Sequence, residues 1–331
     1  MSPSIRPARP EDIPDMTGLL LKDAQQRQDQ NPAFWPVADD AALRIETALK
    51  TVLKSDKAPF GQKWLVAEAA GGICGLAHVL HIPVPPIYAG DHGAPGLMME
   101  DCCLTDNAPP ETGATLIAAA EDAMRTDGAQ ILLAQVAEGS RWQTHYAAAG
   151  YVPLTLYLSK TGFADRTAPD MIRPAGKDDI PRLVEQSARH RAVLEQINIF
   201  WKRHPEADAR FDAWMHKSLT LTDRDMLVAG PADDIRGYAI AQPASPLHFP
   251  PAHDLNQIGV IDDFFHANFA EITTLSASGA EATDLLRQAE AAFARRDMQT
   301  AMIVCPAHWP SKISLLKANG YDTAIQWLIK R

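Results

Sequence analysis

Apolar and polar positions follow one order of elements in the first half of the chain, and the second half repeats it. The order predicts a strand, two helices, a strand pair, a central strand with a polar turn and long helix, then strand, helix and strand. The corresponding residues are about 5–8, 13–25, 38–54, 64–69, 72–81, 97–104, 112–124, 131–137, 141–149 and 151–160. In the second half they are about 172–175, 180–197, 207–219, 226–229, 235–242, 261–266, 279–296, 301–305, 311–319 and 321–330. This order predicts an α/β sheet covered by helices, present twice.

Short motifs confirm that the two halves are copies of one design. Ile5-Arg6-Pro7-Ala8 with Asp12-Ile13-Pro14 recurs as Ile172-Arg173-Pro174-Ala175 with Asp179-Ile180-Pro181. In both places, an acidic cap precedes a proline in the first helical turn. A chain of 331 residues is also long for one hydrophobic core. We therefore predict two domains, residues 1–162 and 170–331, joined by a short polar linker.

Composition and charge narrow the classes of function. The formal net charge is −10 and the isoelectric point is about 5.5, which argues against nucleic acids and anionic membrane surfaces as partners. We find neither an apolar signal core nor an apolar run of about 20 residues, and we expect a cytoplasmic protein. The cysteines lack zinc-binding spacing, and His78 and His81 should face opposite sides of a strand. We expect reduced, buried thiols and no metal.

The stretch from Leu97 to Met124 carries the candidate chemistry. A short apolar strand leads through a Pro-rich turn to Thr112-Gly113-Ala114, where a long amphipathic helix begins. Free backbone N–H groups and the positive end of the helix dipole can receive an anion there.

These features resemble the GNAT superfamily of N-acetyltransferases, here as a tandem covering nearly the whole chain. The resemblance rests on the order of elements, the opening motif described above, and the closing Tyr146-x3-Gly150-Tyr151. It implies an α/β fold of two tandem GNAT-like domains, each with a mixed, mostly antiparallel central sheet flanked by helices. It further implies that acyl-CoA lies where the central strand parts from its neighbour. An Arg/Gln-x-x-Gly-x-Gly/Ala turn would hold the pyrophosphate, and an amine would attack the thioester directly.

The resemblance also implies site residues in the first half. The expected contacts to acetyl-CoA, as co-substrate, are Cys102, Cys103, Leu104, Thr112, Gly113 and Ala114. An attacking ammonium must lose a proton, which Glu100 or Asp101 can accept, and the departing thiolate needs a proton, which the phenol of Tyr146 can supply. The alternatives stay open: a packed aromatic for Tyr146, solvated or paired carboxylates for the two acids, and simple turn geometry for Gly113.

The chain departs from the family pattern in both halves. In the first, Ala108 stands in the Arg/Gln position and Glu111 in a glycine position, and residues 97–124 contain no Lys or Arg. Leu316 is the counterpart of Tyr146 and cannot donate a proton. Arg141 and Lys312, at the starts of the short helices, are the nearest basic residues that can compensate. Chemistry is therefore expected in the first half.

We predict an acyl-CoA-dependent N-acyltransferase that acts on an amine of a small molecule or peptide, and we expect a monomer. The alternative is a non-catalytic GNAT-like binding or scaffold protein whose CoA sites have decayed. The loops rich in Pro and His, residues 83–95 and 243–254, either gate an acceptor cleft or merely cross the surface.

Overall fold

The computed structural model describes residues 3–54, 61–246 and 249–331. The helices are α1 (Ile13–Gln30), α2 (Ala41–Lys54), α3 (Thr112–Thr126), α4 (Trp142–Ala148), α5 (Ile180–Ile197), α6 (Ala207–Ser218), α7 (Ala280–Ala294) and α8 (Pro310–Ala318). The strands of the first half are β1 (Ser4–Pro7), β2 (Gly61–Ala69), β3 (Gly72–His81), β4 (Gly96–Met98), β5 (Cys103–Leu104), β6 (Leu132–Ala137) and β7 (Val152–Thr161). Those of the second are β8 (Ile172–Pro174), β9 (Asp225–Ala229), β10 (Gly237–Pro243), β11 (Ile258–His266), β12 (Thr300–Pro306) and β13 (Asp322–Lys330).

The repeated opening motif is an ion pair that fixes the first strand of each half to its first helix. Arg6 Nη1 lies 2.7 Å from Asp12 Oδ2, and the same carboxylate accepts the Arg9 N–H at 2.7 Å. In the second half, Arg173 Nη1 lies 2.7 Å from Asp179 Oδ2. The arginine lowers the pKa of its partner carboxyl in both copies. The motif thus caps the turn that leads into α1 and α5.

Alternating side chains of the sheet bury against helices on both faces. Trp64 and Val66 of β2 pack with α1 and α2, whereas their neighbours Leu65 and Ala67 pack with α3. Successive residues of a strand point to opposite faces, so this alternation gives three layers. Within the described ranges, no helix combines the length and the apolar character needed to cross a membrane.

The strands of the described residues form a single 13-stranded sheet, with the order β1-β2-β3-β4-β6-β13-β7-β12-β11-β10-β9-β8 and β5 beside β3. Pairing is antiparallel except between β4 and β6 and between β11 and β12. The predicted α/β architecture with a mixed, mostly antiparallel sheet flanked by helices is confirmed.

The closing strands of the two halves are exchanged. Strand β13 pairs with β6 of the first half, placing Trp327 opposite Gln135, and β7 pairs with β12 of the second half, placing Tyr157 opposite Val304. The two exchanged strands also pair with each other. Each half of the repeat is therefore completed by hydrogen bonds from the other half.

A lysine near the end of each exchanged strand reaches the central helix of the opposite half. Lys160 Nζ lies 2.8 Å from Glu290 Oε1 of α7, and Lys330 Nζ lies 2.8 Å from Glu121 Oε1 of α3. The Glu290 side chain is only 2% exposed. Breaking a buried pair leaves a charge without compensation, which costs far more than losing a surface pair.

We predict that Lys160→Met lowers the free energy of unfolding by about 3–5 kcal/mol, because Glu290 loses its cation in a buried site. Urea denaturation monitored by circular dichroism measures the change. Lys50→Met is the matched control, since Lys50 forms an exposed pair with Glu46, and it should cost less than about 1 kcal/mol. Adding Glu290→Gln to Lys160→Met should restore much of the loss. Equal costs for the two lysine variants would contradict this account of the exchanged strands.

Candidate active site

The central strand of the first half is interrupted, and the interruption opens a gap in the sheet. Sequence reasoning predicts one strand over residues 97–104, but β4 ends at Met98, a turn follows, and β5 pairs only with β3. Strand β4 pairs with β6 only from Gly96 to Met98, while β6 continues to Ala137. Two buried acidic residues, Glu100 and Asp101, form the turn that interrupts the strand.

A cavity of about 290 Å³ occupies this gap between the parted strands. Its walls come from α1, the turn after β4, and the start of α4. The lining residues are Asp23, Gln26, Arg27, Gln30, Glu100, Leu104, Asp106, Ala137, Gly139, Ser140, Arg141 and Trp142. We call this space the strand gap.

A second cavity, of about 490 Å³, lies beside the strand gap and is mainly apolar. The first half supplies residues of α1, α2, β2, β3 and β4 and of the segments that follow β3 and β4: Leu20, Arg27, Ile45, Ala48, Leu49, Val52, Gln62, Trp64, His78, Leu80, Ile82, Pro83, Leu97, Met99 and Asp101. The second half closes it with Pro246, Phe249, Pro250, Pro251, Ala252 and Trp327. We call this space the apolar cavity; its volume lies in the range of small-molecule sites.

The two cavities share Arg27, and the dipeptide Glu100-Asp101 separates them. Glu100 lines the strand gap, and Asp101 lines the apolar cavity. The Arg27 guanidinium donates to the Glu100 carbonyl at 3.2 Å and pairs with Asp23 at 2.7 Å. The two cavities therefore adjoin at this dipeptide and at Arg27.

Asp101 holds a histidine on the wall of the apolar cavity. His78 Nδ1 lies 3.0 Å from Asp101 Oδ1, and His78 Nε2 lies 3.2 Å from Gln62 Oε1. The imidazole also stacks on Trp64, with ring centroids 4.0 Å apart. These contacts fix the orientation of the ring, so one edge of an otherwise apolar space carries an oriented polar pair.

The Glu100 carboxyl is buried in the strand gap. The residue is 6% exposed, and neither side-chain oxygen has a hydrogen-bond partner among the residues that the structure describes. Burial, reinforced by the charge of Asp101, raises the pKa of Glu100 to about 8, and Arg27 opposes that rise. Burial likewise raises the pKa of Asp23 to about 6. Glu100 thus titrates close to neutral pH, where a proton acceptor or donor is most useful.

The predicted contacts to acetyl-CoA are only partly brought together. Leu104 lines the strand gap, whereas Cys102 and Cys103 are buried in separate apolar clusters. At the start of α3, Thr112 and Gly113 are buried and Ala114 is exposed. All four cysteines are free and buried, as the sequence predicts.

Two side chains of the first half occupy the space around the predicted anion site. The His145 ring covers Gly113 so closely that a Cβ there would lie 2.7 Å from His145 Nε2. Arg141, at the start of α4, donates to the carbonyls of Leu104 and Thr105 across the strand gap. Arg141 is exposed, so this cation can exchange its carbonyl partners for an anion without the cost of burial.

Tyr146 lies in the core of the first half and lines neither cavity. It is 1% exposed and packs against Trp142 and Tyr151, with ring centroids 5.7 and 5.4 Å away. Burial raises the pKa of its phenol well above the usual value, and Cys102 adds to that rise. Its role as a general acid stays a prediction.

The corresponding gap in the second half is filled by its own side chains. Strands β11 and β12 also part, after Ile261 and Ile303. Lys312 is 1% exposed and donates from Nζ to the Phe264 carbonyl at 2.8 Å, and buried Trp309 lies beside it. Lys312, near the start of α8, thus lies inside the core, whereas Arg141, at the start of α4, is exposed.

At the start of α7, in the second half, a backbone N–H group also has its partner within the chain. Asn268 Oδ1 accepts the Ala282 N–H at 3.1 Å, and a Cβ on Gly279 would lie 2.7 Å from Leu315. An N–H group that already has a partner is not available to a phosphate. The first half is therefore the better candidate for chemistry, as the sequence indicates.

Each of the two loops that contain Pro and His forms backbone hydrogen bonds with the other half of the chain. Ala38 N–H donates to the Ala252 carbonyl at 2.9 Å, and Asp254 N–H donates to the Pro36 carbonyl at 2.8 Å. In the reciprocal contact, Ala89 N–H donates to the Lys202 carbonyl at 2.7 Å. The second-half loop thereby roofs the apolar cavity of the first half.

Sequence reasoning missed Arg27 and the role of His78. It considers His78 only as a metal ligand with His81, but His81 instead lies 3.6 Å from Asp127. Within the described residues, no group of three or more acidic, His or Cys side chains is placed to hold a metal. One signal was available: β3 precedes the central strand in an antiparallel pair, which brings His78 next to the turn that carries Asp101.

The titration of Glu100 should be visible in stability. Because its folded pKa lies above the ordinary value of 4.5, the native state binds the extra proton, and stability falls as pH rises between about 4.5 and 8. Glu100→Gln removes this loss. Between pH 5 and 8, the free energy of unfolding of the variant should therefore rise relative to that of the wild type by up to a few kcal/mol, at about 1.4 kcal/mol per pKa unit. Urea unfolding at both pH values measures it, with exposed Glu111→Gln as control. A constant difference between Glu100→Gln and the wild type would contradict a buried, late-titrating carboxyl.

Comparison with known proteins places this geometry in a fold. No protein-family model and no curated protein matches the chain. Among solved structures, a GCN5-related N-acetyltransferase from Sphaerobacter thermophilus is 15% identical with a TM-score of 0.55, covering 99% of this chain and 95% of its own. A tandem GNAT protein from the clavulanic acid biosynthesis pathway is 12% identical with a TM-score of 0.50, covering 99% and 97%. A GNAT-family acetyltransferase from Colwellia psychrerythraea is 12% identical with a TM-score of 0.50, covering 98% of each chain. The predicted tandem GNAT-like fold is confirmed: the whole chain is similar in structure to GNAT acetyltransferases.

Proposed function

We propose that this protein is an acyl-CoA-dependent N-acyltransferase whose active site lies in the first half, with acetyl-CoA as the acyl donor. The observation that carries the proposal is the pair of cavities that meet at Glu100-Asp101, where β4 parts from β6. A two-substrate transfer needs two binding spaces that open on one point, because the reacting atoms must lie about 3–3.5 Å apart.

In this proposal the strand gap holds the pantetheine arm, and the apolar cavity holds the amine acceptor. Leu104 and Ala137 line opposite sides of the gap, and Arg141, an exposed cation among the lining residues, would bind a phosphate. To bind one, Arg141 would leave the carbonyls of Leu104 and Thr105. The donor brings the thioester, and the residues of this chain orient the amine and accept its proton.

Glu100 is the proposed proton acceptor. Its carboxyl lines the gap without a partner, and its pKa of about 8 suits proton removal from an ammonium better than that of an ordinary carboxylate. Asp101, held by His78, faces the acceptor side and can attract the ammonium. Tyr146, whose phenol interacts with Cys102, is proposed to give a proton to the departing thiolate.

We predict that Glu100→Gln lowers kcat for acetyl transfer by about 10²–10⁴-fold, because the amide cannot accept the proton. The wild-type kcat should rise with pH up to about 8, and the residual rate of the variant should lack this rise. A thiol-release assay with acetyl-CoA and a panel of primary amines measures both. Glu271→Gln, which alters an exposed residue of the second half, should keep full activity. A Glu100→Gln variant that is as active as the wild type would remove Glu100 from the mechanism.

A non-catalytic binding or scaffold role is the second candidate, and one observation favours it. Arg141 bridges the strand gap and His145 covers Gly113, so the route to the helix mouth is occupied by the chain itself. If these side chains do not move, the protein would keep the apolar cavity as a binding site and lack acyl transfer.

A further inference from the structure

The polar groups on the wall of the apolar cavity are gathered in one place. Of the residues that line it, Arg27, Gln62, His78 and Asp101 are the polar ones, and the others are apolar. His78 contacts both Asp101 and Gln62, and Arg27 donates to the carbonyl of the residue before Asp101. The cavity thus has one polar end, at the junction with the strand gap, and an apolar body.

The polar end offers a cation the carboxylate of Asp101. The terminal nitrogens of Arg27 already contact the Asp23 carboxylate and the Glu100 carbonyl. Asp101, which is 3% exposed, has the imidazole of His78 beside it. An ammonium group placed here would gain the Asp101 carboxylate as an ionic partner, which a buried cation needs.

The apolar body is closed by residues of both halves. Leu49 and Val52 of α2 form one wall, and Phe249 and Pro250 from the second half lie across the opening. Among the described residues of this wall, a charged or strongly polar group would lose its water without gaining a partner. A second ammonium, a free carboxylate or an extended peptide backbone is therefore disfavoured in this part of the cavity.

We propose that the acceptor is a lipophilic monoamine, with its amine at Asp101 and His78 and its apolar body between α2 and the loop of the second half. This inference rests on the proposed function and narrows it, because it selects a small apolar amine over polyamines, amino acids and peptide lysines. The second half then contributes to substrate selection, since its loop and Trp327 complete the binding surface.

The test compares three probes of equal length: hexylamine, hexane-1,6-diamine and 1-hexanol. Calorimetry with the intact protein and no acyl donor measures binding alone. Hexylamine should bind at least tenfold more tightly than either of the other two probes. The diamine would have to bury a second charge, and the alcohol has no ammonium group to pair with Asp101. Equal or tighter binding of the diamine would overturn the proposal.

Variants on the two sides of α2 locate the site. Ala48 lines the cavity, so Ala48→Phe should fill it and weaken hexylamine binding at least tenfold. Ala42 is exposed on the same helix, and Ala42→Phe should leave binding unchanged. An unaltered affinity in Ala48→Phe, with the fold intact by circular dichroism, would also overturn the proposal.

The acylation assay separates this inference from the proposed function. Preferred binding of hexylamine without transfer from acetyl-CoA would confirm the cavity assignment and contradict the enzyme. Transfer to the diamine with no transfer to hexylamine would support the enzyme and contradict the lipophilic acceptor.

Discussion

The exchanged strands β7 and β13 join the two halves of the protein, because each forms hydrogen bonds with a strand of the other half. Without β13, strand β6 would present an unpaired edge beside the strand gap, and an open edge is a site for unwanted pairing. The lysine pairs with Glu290 and Glu121 fix the same strands to the central helices. We propose that the tandem acts as a monomer, since the exchange supplies within one chain what a dimer would otherwise supply.

The exchange also explains how two copies of one design come to share one site. It brings Trp327 and the loop with Phe249 against the first half, where they complete the apolar cavity. The second half, in turn, has Lys312 and Trp309 buried where its own gap would open. In this account the second copy has given up the space for a ligand and gained a role in enclosing the acceptor of the first.

Most elements could be predicted from the sequence because their apolar periodicity is local. Helix α5 has the predicted limits, residues 180–197. Helix α1 runs to Gln30 instead of about residue 25, because its last turns bury Arg27 through the ion pair with Asp23 rather than through apolar residues. The strand exchange was hidden, since Tyr157-Leu158-Ser159-Lys160 and Trp327-Leu328-Ile329-Lys330 suit either sheet equally well. Only part of the site could be predicted. Glu100 and Asp101 stand out in the sequence, but Arg27 and His78, which contact them, come from distant segments.

Isothermal titration of the intact protein with acetyl-CoA tests the central claim most directly. The account predicts one binding site per chain, because the strand gap of the first half contains a cavity, whereas Lys312 and Trp309 fill the corresponding space in the second half. Replacing Arg141 with alanine should weaken this single site, whereas the exposed Arg125→Ala should not. Two equivalent sites, or no heat at high micromolar acetyl-CoA, would contradict the account.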